Sequence, residues 1–373
     1  MTMIQHPTST KAGSQRLDYI DSLRGLAALY VVLFHVARVP KPPLSIPAWL
    51  HEFIGFGGSG VTLFFVISGF SMALTWGRHA RSTRPYLSFY AARFFRIAPL
   101  FYLILFVTII RDLAFKGSAG LHSLAEISSN ILLVFNLLPL PYQTGIVWAS
   151  WTIGVECVFY LLFPLVARYT STFARSVIFL ISSIALSTVL YHFNYITHNV
   201  PVLGPLTGSV GAITHFPIFI FGILVYRMQG IIGDVRRIRF PLATALALVT
   251  ISIGGLATML ATMRGTPGAS WLYLSALLYS ILLLGFSISP MVFLVNPVTT
   301  FTGRISYSLY LIHPNVVFAL SAVFAAIYRT RLNSTLSFTL SVLLTLIVIF
   351  PLSYLTYTFI ERPMMRFGKT LFG

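Results

Sequence analysis

The chain has 373 residues, 9% of them charged and 57% hydrophobic, with a mean hydropathy of +0.85, whereas an ordinary soluble domain carries roughly 25% charged residues. A water-soluble fold cannot hide that much apolar surface, so lipid is the solvent. The formal net charge of +17 does not point to nucleic acid either, because the basic residues lie between apolar stretches instead of forming one stripe with interleaved aromatics.

Residues 1–16 are polar and read as a cytoplasmic N-terminal tail. The first apolar stretch opens with Asp21 and Arg24 and is followed by no small-residue cleavage site, unlike a signal peptide, so it is expected to be retained. A helix needs about 20 residues to cross roughly 30 Å of hydrocarbon at 1.5 Å per residue. Apolar runs of that length, bounded by charges, Gly or Pro, place ten spans near 22–40, 57–77, 94–114, 148–168, 174–195, 212–229, 240–262, 271–291, 304–328 and 336–360. The predicted fold is an all-α polytopic helix bundle over 17–363, with 364–373 as a cytoplasmic tail and no room for an appended soluble domain. Residues 124–140 are apolar but shorter and run into Pro139-Leu-Pro141, which suits an interfacial or re-entrant piece.

Positive charge near span ends favours the cytoplasmic side. With these ten spans, Arg38, Lys41, Arg111, Lys116, Arg264, Arg329 and Arg331 fall outside and the other 18 of the 25 Lys and Arg fall inside, which predicts that both termini are cytoplasmic.

Ionisable groups within hydrocarbon are costly and therefore functional candidates. His35 lies about 20 Å above the cytoplasmic start of the first span and Glu156 about 12 Å below the outer start of the fourth, so the two fall at similar depth and are expected within reach of each other. Arg24 precedes His35 by 11 residues, about three turns plus 20°, with a rise of about 16.5 Å, and so shares its helix face. A guanidinium at the cytoplasmic mouth suits phosphates, and an imidazole deeper on the same face suits proton transfer or attack on a thioester. A snorkelling Arg24 and a His35 that merely hydrogen-bonds within the bundle would give the same pattern. Arg93 and Arg96 begin the third span three residues apart on one face, as a second phosphate clamp or as ordinary positive-inside anchors. Glu156 is suited to orienting the imidazole, raising its basicity or holding a sugar hydroxyl, and equally to a protonated structural role.

Other polar positions read as structural. Pro314 frees backbone carbonyls and bends the ninth span, so His313-Pro314 is assigned to a helix kink. Ser68 is in no Gly-x-Ser-x-Gly elbow, and with Gly69 it reads as close helix packing in preference to lining a pocket. The glycines from Gly55 to Gly60 look like a dinucleotide loop but follow no strand and are assigned to a turn. The lone Cys157 excludes disulfides and cysteine metal sites within one chain, the histidines show no ligand spacing, and no metal is expected.

Six patterns in order resemble the acyltransferase-3 family of bacterial membrane O-acyltransferases: Asp21-Ser-Leu-Arg24-Gly with His35, Phe64-Phe-Val-Ile-Ser-Gly-Phe70, Arg93-Phe-Phe-Arg96, Trp151 through Tyr160, Ile305-Ser-Tyr-Ser-Leu-Tyr-Leu-Ile-His-Pro314 and Glu361-Arg-Pro363. The resemblance implies a catalytic His35, acyl-donor binding by Arg24, Arg93 and Arg96, and a further site residue in Glu156. It implies acyl-CoA, acetyl-CoA first, as donor substrate with no bound cofactor, a carbohydrate or other hydroxyl acceptor, and the bacterial inner membrane. Many family members carry a hydrolase-like domain after the last span. Without one, transfer is expected within the membrane domain or with a separate periplasmic partner protein. From another class, a proton-coupled transporter or flippase with His35 and Glu156 as proton carriers fits the same buried charges, although the inverted repeats common in transporters are not evident.

Overall fold

The computed structural model describes residues 12–138, 142–196, 206–233, 238–262, 269–330 and 332–372. These contain α1 (Ala12–Arg38), α2 (His51–Gly55), α3 (Gly60–His79), α4 (Pro85–Lys116), α5 (Leu124–Ile131), α6 (Trp151–Tyr169) and α7 (Phe173–Ile196). They continue with α8 (Ala212–Ile232), α9 (Pro241–Thr262), α10 (Ala269–Ile288), α11 (Pro297–Arg304), α12 (Ser306–Tyr328), α13 (Ser334–Thr356) and α14 (Arg362–Phe372), and no strand occurs among the described residues. Ten of the helices, α1, α3, α4, α6 to α10, α12 and α13, are long and apolar enough to cross a bilayer. The chain is an all-helical, multi-pass membrane protein.

Two boundaries differ from the sequence expectation. The third span starts at Pro85 instead of near residue 94, because proline at the first helical turn loses no hydrogen bond and brings its φ already set. Arg93 and Arg96 therefore stand more than two turns inside α4 and not at its start. The segment expected to end as a tail after residue 363 is helical to Phe372, with the Phe367 and Phe372 rings 5.6 and 6.2 Å from that of Phe95 on α4. At the other terminus α1 is already helical at Ala12, while residues 1–11 lie outside the described residues.

The apolar stretch at 124–140 is helical only over α5, opened by a Ser123–Glu126 capping box and followed by Leu133 at φ 58° and a 3-10 turn at Phe135–Leu137. Eight residues span about 12 Å, too little to cross hydrocarbon. Residues 139–141 lie outside the described residues.

Aromatic packing fills the centre, where Phe219 on α8 stacks on Phe65 of α3 at 4.8 Å and on Phe159 of α6 at 3.8 Å. Helices in lipid gain little from burying apolar surface against each other, so close backbone approach carries the association. Gly69 and Gly222 provide it between α3 and α8: a Cβ on Gly69 would run into the Phe219 backbone, and one on Gly222 into that of Val66 and Phe70. Large exposed side chains such as Phe106, Ile178 and Ile347 face outward, as lipid contact requires.

Contacts between distant residues identify the two ends of the bundle. Asp18 on α1 pairs with Arg304 on α11 at 3.8 Å, at the end that also holds α14; we call this the Arg24 end. At the His35 end the Tyr328 hydroxyl donates to the Ser45 carbonyl at 2.8 Å and that of Tyr30 to the Phe53 carbonyl at 2.7 Å. There Arg111 donates to Asp112 at 2.8 Å and to Asn315 at 2.7 Å, which ties α4 to α12. Of the charges used for topology, Lys11, Arg236, Arg237, Arg264 and Arg331 lie outside the described residues.

Candidate functional site

Five helices, α1, α3, α4, α6 and α12, surround a cavity. At one end it is lined by Arg24, Arg93 and Arg96, at mid-depth by Ser68, Glu156 and Tyr160, and toward the His35 end by Phe64, Thr152 and Tyr310. The helical period accounts for this grouping. Glu156, Tyr160 and Thr152 are spaced by four residues, as are Ser68 and Phe64, and each set shares a face.

The guanidiniums are held differently. Arg24 Nη2 donates to Ser71 Oγ at 2.9 Å, and its Nη1 lies 3.6 Å from an Asp21 carboxylate oxygen. Arg93 Nη2 donates to Thr75 Oγ1 at 2.9 Å, and its guanidinium lies over the Phe89 and Tyr160 rings at 5.5 and 5.4 Å. Its Nε is buried without a hydrogen-bond acceptor, an omission that costs roughly 1 to 3 kcal/mol unless something supplies one. Arg96 lines the cavity with no hydrogen-bond partner among the described residues.

Glu156 accepts from Ser68 Oγ at 2.6 Å and from the Tyr160 hydroxyl. Three guanidiniums thus face three carboxylates, Asp21, Glu156 and Glu361, of which Glu156 and Glu361 already accept from hydroxyl donors. The guanidiniums share the cavity wall, and planar guanidiniums match phosphate oxygens in geometry.

His35 is not part of the cavity wall. Its Nδ1 lies 2.6 Å from Nε2 of His313, and their rings stack with centroids 4.8 Å apart. The link to the cavity runs through Tyr310, one turn from His313, whose ring lies 5.6 Å from the His313 ring. The Tyr310 hydroxyl receives Thr152 Oγ1 at 2.9 Å and donates to the Ala149 carbonyl at 3.0 Å. On the other side of His35 stands Trp148, edge-on at 4.9 Å and 43% exposed. Tyr310 in the cavity wall, the histidine pair and Trp148 therefore form one row of contacting side chains that runs from the cavity toward the His35 end.

Against the sequence expectations, Arg24, Arg93, Arg96 and Glu156 come together, while His35 stands one layer beyond them. Glu156 does not orient His35: its partners are Ser68 and Tyr160, and the residue hydrogen-bonded to the imidazole is His313. His313 is fully buried and does more than precede Pro314 within α12, since it hydrogen-bonds His35 on α1. Ser68 lines the cavity while Gly69 makes the close helix contact, so only the second half of the packing assignment holds. Tyr160 and Thr152 had a signal in their spacing of four from Glu156, and all three, Tyr310 included, in their place within two of the six motifs. The glycines near Gly55 do form a turn: they end α2 and continue as a 3-10 turn, Phe56–Ser59, before α3.

Comparison with known families decides the assignment, because the acyltransferase-3 profile, described as an acyltransferase domain, matches residues 17–356. The chain belongs to the acyltransferase-3 family. Five of the six motifs fall within the matched region, and Glu361-Arg-Pro363 lies just after it. Among curated proteins, "Acyltransferase MdmB" of Streptomyces mycarofaciens is similar, at 33% identity over 155 residues, which cover 40% of this chain. The chain spans 39% of the length of that relative. No solved structure matches it. Acyltransferase-3 membership gives the convergence of cavity and histidine pair a chemical context, acyl transfer, that the geometry alone leaves open.

Proposed function

We propose that this protein is a membrane O-acyltransferase that carries a short acyl group, acetyl in the first place, from acyl-coenzyme A to a hydroxyl of a cell-envelope or exported carbohydrate. The donor enters from the cytoplasm at the Arg24 end, where Arg24, Arg93 and Arg96 hold its phosphates, and transfer takes place beside His35 toward the outer face of the bacterial inner membrane. Both termini then lie in the cytoplasm. The observation that carries this reading is the cavity with three guanidiniums at one end and Tyr310 leading to the histidine pair at the other. Arg24 and His35 are separated by about 16.5 Å along one helix, a gap that an extended pantetheine arm is suited to bridge.

Two routes use the imidazole. In the first, the acceptor oxygen attacks the thioester carbonyl as its proton passes to His35; the new C–O bond forms, the C–S bond breaks, and the thiolate takes up the proton to leave as coenzyme A. In the second, a His35 ring nitrogen attacks, C–N forms as C–S breaks, and the acceptor oxygen then displaces the imidazole while its proton ends on the released thiolate. Glu156, in the wall midway along, is suited to holding a hydroxyl or amide of whichever substrate occupies the cavity, with Ser68 and Tyr160 fixing its orientation.

Mass spectrometry of envelope glycans and exported small molecules from isogenic cells with and without the gene tests the reading. The expected result is an alkali-labile ester present only when the gene is. Unchanged esterification together with altered accumulation of an unmodified glycan precursor would instead identify a transporter or flippase.

A further inference from the structure

His313 is the one fully buried imidazole that contacts His35, and the donor-to-acceptor path described above gives it no task. Its hydrogen bonds can be assigned from elementary valence. The His313 imidazole turns back along its own helix, with Nδ1 3.2 Å from the Leu309 carbonyl. Carbonyl oxygens only accept, so Nδ1 of His313 carries the proton. No carboxylate touches the ring, and a charged imidazolium at 0% exposure without a counter-ion would be costly. His313 is therefore neutral, and its Nε2 has only a lone pair to offer.

That lone pair is what His35 Nδ1 meets at 2.6 Å, so His35 Nδ1 must be the donor. A neutral His35 with its proton on Nδ1 has a bare Nε2. We propose that His313 is a positioning residue that locks His35 into this tautomer and makes Nε2 of His35 the reacting nitrogen; what Nε2 reacts with rests on the acyltransferase reading. When Nε2 takes a proton from the acceptor hydroxyl, or bonds to the acyl carbon as the C–S bond breaks, the ring turns cationic. Its Nδ1–H then points at an acceptor of matching basicity, which stabilises the charge without a buried carboxylate. The Leu309 carbonyl orients His313, and His313 orients His35 on a helix 278 positions away.

Nitrogen-15 NMR of the histidine-labelled protein in detergent tests this directly, because protonated and unprotonated ring nitrogens have well-separated shifts. Spectra of the parent, His35→Asn, His313→Leu and His313→Gln identify the His35 signals among the nine histidines. In the parent, His35 is expected as the Nδ1–H form. His313→Gln keeps an acceptor near the Nε2 position and should preserve that form, whereas His313→Leu should lose it. Acyl transfer, read in parallel, should fall about a hundredfold in kcat for His313→Leu with little change in donor KM, and recover in large part in His313→Gln. Equal melting of both variants excludes a folding defect. A parent His35 protonated at Nε2, or a His313→Leu protein with parental His35 signals and turnover, would overturn the inference. A parent that shows the expected tautomer but transfers no acyl group would leave the positioning role standing and remove the acyltransferase reading instead.

Discussion

Replacing His35 by alanine is expected to lower acyl transfer by at least about a hundredfold, the usual contribution of a positioned general base or a nucleophile, while the protein stays folded and inserted. The imidazole is half-buried on α1, held by His313 at 2.6 Å and flanked by Trp148. Removing it costs the fold one intramembrane hydrogen bond and some ring packing, on the order of 1 kcal/mol for the bond. The two consequences differ in kind, so they separate cleanly in measurement. Turnover is followed as free coenzyme A released with an acceptor glycan present, and stability as thermal melting in the same detergent. Near-parental turnover with His35→Ala would return this histidine to helix packing and leave the cavity without a reactive group at its far end.

Arg96→Ala is expected to weaken binding of acyl-CoA by roughly tenfold to a hundredfold, which corresponds to one charge-assisted hydrogen bond of about 1.5 to 3 kcal/mol. Arg96 makes no side-chain hydrogen bond among the described residues, but it faces the carboxylates of Glu156 and Glu361, so some loss of stability accompanies its removal. Arg93→Ala should weaken donor binding to a similar degree and also lower stability, since Arg93 holds Thr75 and packs over Phe89 and Tyr160. Lysine at either position should restore only part of the affinity, as a point charge lacks the planar fork that meets two phosphate oxygens at once. Equilibrium binding of acyl-CoA to each purified variant decides the matter. Parental affinity in both alanine variants would reduce the pair to membrane anchors.

Which parts of this were legible in advance follows from what periodicity can carry. Span length and apolar composition place ten crossing helices, because hydrocarbon thickness acts on each helix separately. The common face of Arg24 and His35, and that of Arg93 and Arg96, follow in the same way from positions along one helix. What periodicity does not carry is which helix faces which. Glu156 and His35 do fall at related depths, yet α6 turns Glu156 toward Ser68 on α3 while α12 brings His313 to His35. The kink reading of His313-Pro314 rested on the proline alone, whereas the imidazole bonds the Leu309 carbonyl on its own helix and His35 on another. Ser68 was assigned with its neighbour Gly69, although adjacent residues on a helix point about 100° apart: Gly69 faces Phe219 and Ser68 faces the cavity. The short α5 was legible as too brief to cross, and its capping box at Ser123 accounts for where it begins.

The central claim is that an acyl group enters at the Arg24 end and leaves at the His35 end. Proteoliposomes of uniform orientation, with labelled acetyl-CoA confined to the side facing the Arg24 end and an acceptor glycan confined to the opposite side, test it most directly. Labelled ester is expected on the acceptor in the opposite compartment, coenzyme A in the donor compartment, and neither with His35→Ala protein. Ester formation only when donor and acceptor share one side, or release of coenzyme A unaffected by His35→Ala, would contradict it.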